Sequence, residues 1–125
     1  MQLNDISGRI LDCAIRVHTA LGPGLLESVY EACLYYELCK KGLRVERQKP
    51  CSVIYDGVTI DLAFRIDLYV EEAVVVELKA VERLAPIHEA QLISYLRLSG
   101  SKLGLLINFN TERLKDGVRR MVNGF

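Results

Sequence analysis

Glu77, Leu78 and Lys79 set a carboxylate and an ammonium two residues apart, at the end of the apolar run Ala73-Val74-Val75-Val76. On a β-strand, positions 77 and 79 face the same side. Asp67 lies ten residues upstream on another alternating segment. Two carboxylates on neighbouring strands can bind Mg²⁺ or Mn²⁺ through hard oxygen ligands, with water and a substrate phosphate completing the shell. The backbone carbonyl of Leu78 can add a ligand at the strand edge. Lys79 has two readings: a partner that neutralises the acids, or a group that orients water and stabilises charge building on a phosphate.

These residues need particular elements to bring them together. Ile6, Ile10, Cys13, Ala14 and Val17 recur at helical spacing, which predicts a first helix from about Asp5 to Thr19. Gly22-Pro23-Gly24 breaks it. A second helix is expected from near Gly24 to about Lys40, stopped by Gly42 and apolar over most of its circumference, hence buried. Glu27 falls in its first turn, where the exposed amides favour a negative charge. It serves either that helix-end role or as a carboxylate aimed into a cleft, able to reach the same ion.

From Leu43 to Glu77 the pattern turns to strands. Arg44 to Tyr55 reads as one strand with an interruption at Pro50, and Asp56-Gly57 as a hairpin turn. Ile60, Leu62, Phe64, Ile66 and Leu68 then take one side of the next strand, and Asp61, Ala63, Arg65, Asp67 and Tyr69 the other. Val74 to Ala80 returns beside it. A turn centred on Glu72 sets Asp67 opposite Glu77, whereas a tight two-residue turn at Glu71-Glu72 pairs Asp67 with Val76. The site therefore demands an odd-membered turn or a bulge.

Pro86 suits the first turn of a third helix ending at Gly100, with Ile87, Ala90, Ile93 or Ser94, and Leu98 as its core stripe. Gln91 and Tyr95 share one face of that helix. Gln91 can bridge Lys79, a water or a phosphate. Tyr95 is either a core aromatic or a contact to sugar or phosphate, and His88 a solvated first-turn residue. The run Leu103 to Phe109 suits a sheet-buried strand, and a short last helix is expected from Glu112 to Val122.

Composition narrows the classes. The 125 residues suit one domain, half of them hydrophobic. No apolar run nears the roughly 20 residues that span a bilayer, and the start does not read as a signal peptide, so a cytoplasmic protein is the default expectation. Cys13, Cys33, Cys39 and Cys51 form no CxxC pair, and neither His18 nor His88 has a metal-ligand spacing, which argues against zinc. There is no GxSxG elbow and no GxGxxG after a strand. Net charge is zero, against a broad non-specific nucleic-acid surface, although Lys40, Lys41, Arg44, Arg47 and Lys49 cluster, as do Arg113, Lys115, Arg119 and Arg120.

Three segments together carry a resemblance: Gly24-Leu25-Leu26-Glu27-Ser28-Val29-Tyr30, then Asp67 with Glu77-Leu78-Lys79, then Gln91-Leu92-Ile93-Ser94-Tyr95-Leu96. The first matches the pattern that names the GxxExxY protein family. The last is similar to the helical motif of RecB-like nucleases, and the order resembles the PD-(D/E)xK nuclease superfamily over nearly the whole chain. Ile66 stands where that pattern has proline. The resemblance implies an α/β fold with a central mixed sheet flanked by helices, and Mg²⁺- or Mn²⁺-dependent hydrolysis of phosphodiesters, with DNA as the expected partner. It makes Glu27, Asp67 and Glu77 the metal-side carboxylates, with Leu78 beside them. It makes Lys79 the catalytic lysine, Gln91 a supporting polar group, and Tyr95 and Tyr30 substrate contacts. The alternative is a nuclease-like module that binds nucleic acid or protein without chemistry. A chain this short could dimerise or act beside a larger partner, with Tyr35, Tyr36 and the second helix as the contact, though core packing explains these residues equally.

Overall fold

The computed structural model describes residues 1–124. Helices α1 (Leu3–Leu21) and α2 (Glu27–Lys40) lead into strands β1 (Val45–Tyr55), β2 (Val58–Val70) and β3 (Val74–Lys79). Helix α3 (Pro86–Ser99), strand β4 (Leu103–Asn108), a 3₁₀ turn (Leu114–Gly117) and strand β5 (Val118–Val122) complete the chain. The five strands form one sheet in sequential order. β3 and β4 run parallel across the α3 connection and the other neighbours antiparallel, so the sheet is mixed.

Helices cover both faces of the sheet. Ile6, Ile10, Cys13, Ala14 and Val17 of α1 and Tyr30, Leu34 and Leu38 of α2 pack with Val74, Val76 and Leu78 of β3 and Leu103, Leu105 and Ile107 of β4. On the other face, Leu92 and Leu96 of α3 pack with Phe64, Ile66, Val75 and Leu106. Gly104 permits that close approach, since a Cβ there would stand 2.8 Å from Leu92 Cδ1. β4 lies between β3 and β5 and is buried along its length, as its continuous apolar run implies.

The β2–β3 turn has the required odd register. Leu68 pairs with Val76, Tyr69 with Val75 and Val70 with Val74, which leaves three residues in the loop. Glu71 and Glu72 both take positive φ, and the Ala73 amide donates to the Val70 carbonyl at 3.0 Å. This is a type I′ turn with one residue added. Extending the register sets Asp67 opposite Glu77.

Several expectations need correction. Within the expected helix Glu112 to Val122, residues 114–122 form the 3₁₀ turn and β5 instead, because the otherwise open edge of β4 requires a backbone partner. The core stripe of α3 is Leu92 and Leu96, while Ile87, Ile93 and Leu98 are exposed. Helix α2 begins at Glu27, so Leu25 and Leu26 precede it, and Tyr36 on its outer side is 62% exposed. Pro50 does not interrupt β1, which as an edge strand tolerates the missing donor. The alternation along β2 also breaks: Ile66 belongs to the α3-side core and Leu68 to the α1/α2-side core. Gln48, which the flanking pairs place opposite Asp67, has φ 52°.

Candidate active site

Beyond Leu68 and Val76 the β2–β3 pairing stops, and side chains enter the gap. The Asp67 amide donates to Glu77 Oε2 at 2.8 Å. In return, the Leu78 amide donates to Asp67 Oδ2 at 2.9 Å. Each acid thus bonds backbone on the opposing strand, and the two carboxylates meet in one fork. In extended chain, a residue's carbonyl faces the same edge as its amide, so the Leu78 carbonyl also faces this gap.

The electrostatics follow from that crowding. Glu77 is almost fully buried, and its carboxyl is pushed up to about 8, first by burial and then by the charge on Asp67, with Glu27 adding to the push. The Asp67 amide and Lys79 oppose the shift. Burial also raises Asp67, with Glu31 adding to it, against the Leu78 amide, Gln48 and Lys79. Glu27, in the first turn of α2, is raised by partial desolvation and by Asp67 and Glu31, and lowered by Lys79 and the Ala80 amide. Four acids and one lysine therefore feel one another at the open end of β3.

Lys79 is half-buried and forms no direct ion pair among the described residues. Its backbone is fixed on both sides. The Phe109 amide donates to the Lys79 carbonyl at 2.9 Å. Buried Asn108, its partner on β4, clamps the following loop: its side chain accepts from the Val81 amide at 3.0 Å and donates to the Val81 carbonyl at 2.9 Å.

Two residues that sequence reasoning passed over complete the fork. Glu31 is 8% exposed and one helical turn beyond Glu27. It accepts from Arg47 Nε at 2.7 Å and Gln48 Nε2 at 2.6 Å. Gln48 Nε2 also donates to Asp67 Oδ1 at 3.2 Å. The i, i+4 spacing of Glu27 and Glu31 is the signal that could have drawn attention to Glu31. Nothing local marks Gln48, whose role depends on its positive φ and on a neighbour nineteen residues away.

The remaining candidates divide. Tyr95 stacks on Phe64 at 4.6 Å, and its hydroxyl is raised by burial and then by the charges on Glu77 and Asp67, so it borders the fork. Gln91 is half-buried one turn earlier on the same helix. His88 accepts from the Ala85 amide at 3.0 Å and caps α3. Tyr30 is corrected from substrate contact to structural residue: it is fully buried and stacks on Phe109 at 4.6 Å. Its hydroxyl donates to the Gly22 carbonyl at 2.6 Å and accepts from the Leu25 amide at 3.1 Å. That tie holds the Gly22–Leu26 loop and so sets where α2 presents Glu27.

The first basic cluster is largely neutralised, with Arg47 on Glu31, Lys49 on Glu46, Arg44 on Glu71 and Lys40 on Glu37. All four cysteines are free thiols. No helix of the described residues is long and apolar enough to cross a membrane. Among them, no three His, Cys, Asp or Glu side chains form a ready metal cage. The fork instead offers a close pair of acids with the Leu78 carbonyl. The donor set is hard oxygen, and the mutual repulsion of Asp67 and Glu77 is what a divalent cation would relieve, so the residues fit such an ion.

A mixed sheet flanked by helices, with an acidic pair and a lysine where two central strands part, defines a nuclease-like α/β class. The model of the PD-(D/E)XK nuclease superfamily matches residues 4–121, and the chain belongs to that superfamily. Its nucleases generally use divalent metal ions. No curated protein and no solved structure matches the chain.

Proposed function

We propose that this chain is a Mg²⁺- or Mn²⁺-dependent nuclease that hydrolyses phosphodiester bonds in DNA. The observation that carries the reading is the reciprocal Asp67–Glu77 fork, which sets two carboxyl groups in a buried gap beside Lys79, a lysine with no ion pair among the described residues. Asp67, Glu77 and the Leu78 carbonyl would hold the ion, with Glu27 approaching from α2. Bound there, a divalent cation supplies Lewis-acid polarisation of the phosphate and lowers the pKa of attacking water.

The chain's own residues supply the rest. Lys79 places a positive charge where negative charge builds on the phosphoryl oxygens, and Gln91 positions water or phosphate from α3. Gln48 holds the second oxygen of Asp67 and keeps its orientation. Tyr95, at the edge of the fork, supplies a surface for sugar or base. The Gly24–Tyr30 segment supports placement in the GxxExxY family, with Glu27 as its chemical residue and Tyr30 as its anchor.

One observation favours the alternative of a non-catalytic binding module: each acid already commits one oxygen to a backbone amide, as a purely structural fork would. Isothermal titration of Mn²⁺ and cleavage assays on DNA and RNA, with wild type and folded Asp67→Ala and Lys79→Ala variants, separate the two. The nuclease reading expects Mn²⁺ binding that Asp67→Ala abolishes, and DNA cleavage lost in both variants. Nucleic-acid binding without cleavage by pure wild type selects the module.

A further inference from the structure

Strand β3 ends at Lys79, and β4, its parallel neighbour, ends at Asn108. Beyond them the Phe109 amide donates to the Lys79 carbonyl at 2.9 Å. The ladder then gains one more rung, made by a side chain. Asn108 Oδ1 accepts from the Val81 amide at 3.0 Å, and its Nδ2 donates to the Val81 carbonyl at 2.9 Å. A carboxamide carries the donor and the acceptor of a peptide group, so it continues the ladder where the backbone turns away.

The consequence lies on the other edge of the same segment. In extended chain, the amides of successive residues point to alternate edges. Lys79 and Val81 are held toward β4, while the Leu78 amide donates to Asp67. The Ala80 amide keeps that alternation: it lies on the fork side, near enough to Glu27 to favour the charged carboxylate. Ala80 therefore stands between two fixed points, the Lys79 carbonyl and the Val81 peptide groups.

Asn108 is itself held in place. It is 2% exposed, its Oδ1 also accepts from the Asn110 amide at 3.3 Å, and its carbonyl accepts from the Thr111 hydroxyl at 3.4 Å. Gly117 packs directly on that carbonyl, where a Cβ would clash. The Thr111 carbonyl accepts in turn from His18 Nε2 of α1 at 2.7 Å. Every earlier position of β4 is apolar or glycine, and the change to a carboxamide comes at the residue that pairs with Lys79.

We infer that Asn108 is a positioning residue: by fixing Val81 it holds the Lys79 side chain and the Ala80 amide at the open end of the fork, where substrate phosphate would enter. This rests on the reading of Lys79 as the group that acts on phosphate.

Amide exchange on the folded wild type is the first test. The Val81 amide should exchange at least about tenfold more slowly than those of exposed Glu82 and Arg83. Equal exchange overturns the inference whatever any variant does. Asn108→Ser, its fold checked by circular dichroism, should lower kcat for DNA cleavage about tenfold or more, with KM and Mn²⁺ affinity within about twofold of wild type. Asn108→Asp is the conservative control. Its carboxyl group, when protonated, donates and accepts as the carboxamide does, so its kcat relative to wild type should rise as pH falls. A role in packing alone gives no such trend in folded protein. Should Asn108→Ser fail to fold, Asn108→Asp and the exchange of wild type decide. Folded variants with wild-type kcat, or a loss confined to KM, overturn the inference. A wild type that binds DNA without cutting it refutes the nuclease reading, and DNA affinity then becomes the measure. It should fall in Asn108→Ser as far as in Lys79→Ala, and an unchanged affinity overturns the role of Asn108.

Discussion

Strand β2 departs from regular pairing twice, and the two breaks have opposite surroundings. At Asp67 the opposing Gln48 takes φ 52°, the core side changes between Ile66 and Leu68, and the gap fills with bonded polar groups. At Leu62 the strand bulges with nearly the same φ, but Leu62 and the apolar side chains of Ile60, Val58 and Ile54 beyond it face solvent. The same backbone device makes a buried, charged fork in one place and an exposed, greasy arm in the other. What differs is the cover: α2 and α3 close over the first break, while among the described residues Leu62 stays 65% exposed at the second. A broken ladder thus gains meaning from what packs on it.

Mutation can break that comparison most strongly at the fork. Asp67→Ala should lower metal-dependent cleavage by more than about 100-fold with the fold retained by circular dichroism. Lys79→Ala should lower turnover by roughly 100-fold with Mn²⁺ affinity, read by calorimetry, little altered. Loss of Mn²⁺ affinity in Lys79→Ala would show that the lysine shapes the acid pair rather than acting on substrate.

Acidity sharpens the contrast next. Glu77 sits near 8 in the folded protein against an ordinary 4.5. Between those values the metal-free folded chain retains a proton that the unfolded chain has lost. Its contribution to stability is present below about 4.5 and disappears as pH rises through about 8. Thermal melts in chelator should therefore fall by several degrees from pH 5 to pH 8.5. Glu77→Gln should remove most of that dependence, and Mg²⁺ should restore wild-type stability at the alkaline end. A flat profile for the metal-free wild type would mean the fork is not strained by charge.

Smaller effects concern support. Gln48→Leu should reduce Mn²⁺ affinity by about tenfold, since it frees Asp67 to rotate and leaves Glu31 short of one donor. Tyr30→Phe should cost about 1–3 kcal/mol of stability by chemical denaturation, because the Gly22 carbonyl and Leu25 amide lose their partner. Its Michaelis constant for DNA should stay close to wild type. A large rise there would restore Tyr30 as a substrate contact.

Much of the site was legible in advance because it rests on short-range rules. The apolar run Ala73 to Val76 predicted β3, and the odd register between Asp67 and Glu77 was expected because the site demanded it, counting across the turn having left two registers open. Gln48 and Glu31 were not legible, because their value comes from contacts between elements distant in sequence. Tyr30 was misread because a motif position gives no account of burial. The face of α3 was misplaced since Ile87, Ile93 and Leu98 offer an apolar stripe as convincing as that of Leu92 and Leu96, and only the space over Gly104 selects between them.

By itself, the order of residues determined the buried face of α1, the Asp56-Gly57 hairpin and the buried strand β4. These depend on side-chain periodicity and on turns whose dihedrals a few residues dictate. Tertiary structure alone decided that residues 118–122 become a strand, that β2 changes core between Ile66 and Leu68, and that the β1–β2 arm stands free. Each of those outcomes is settled by which distant backbone or helix is present to pair with or to cover a segment, and local pattern carries no record of that partner.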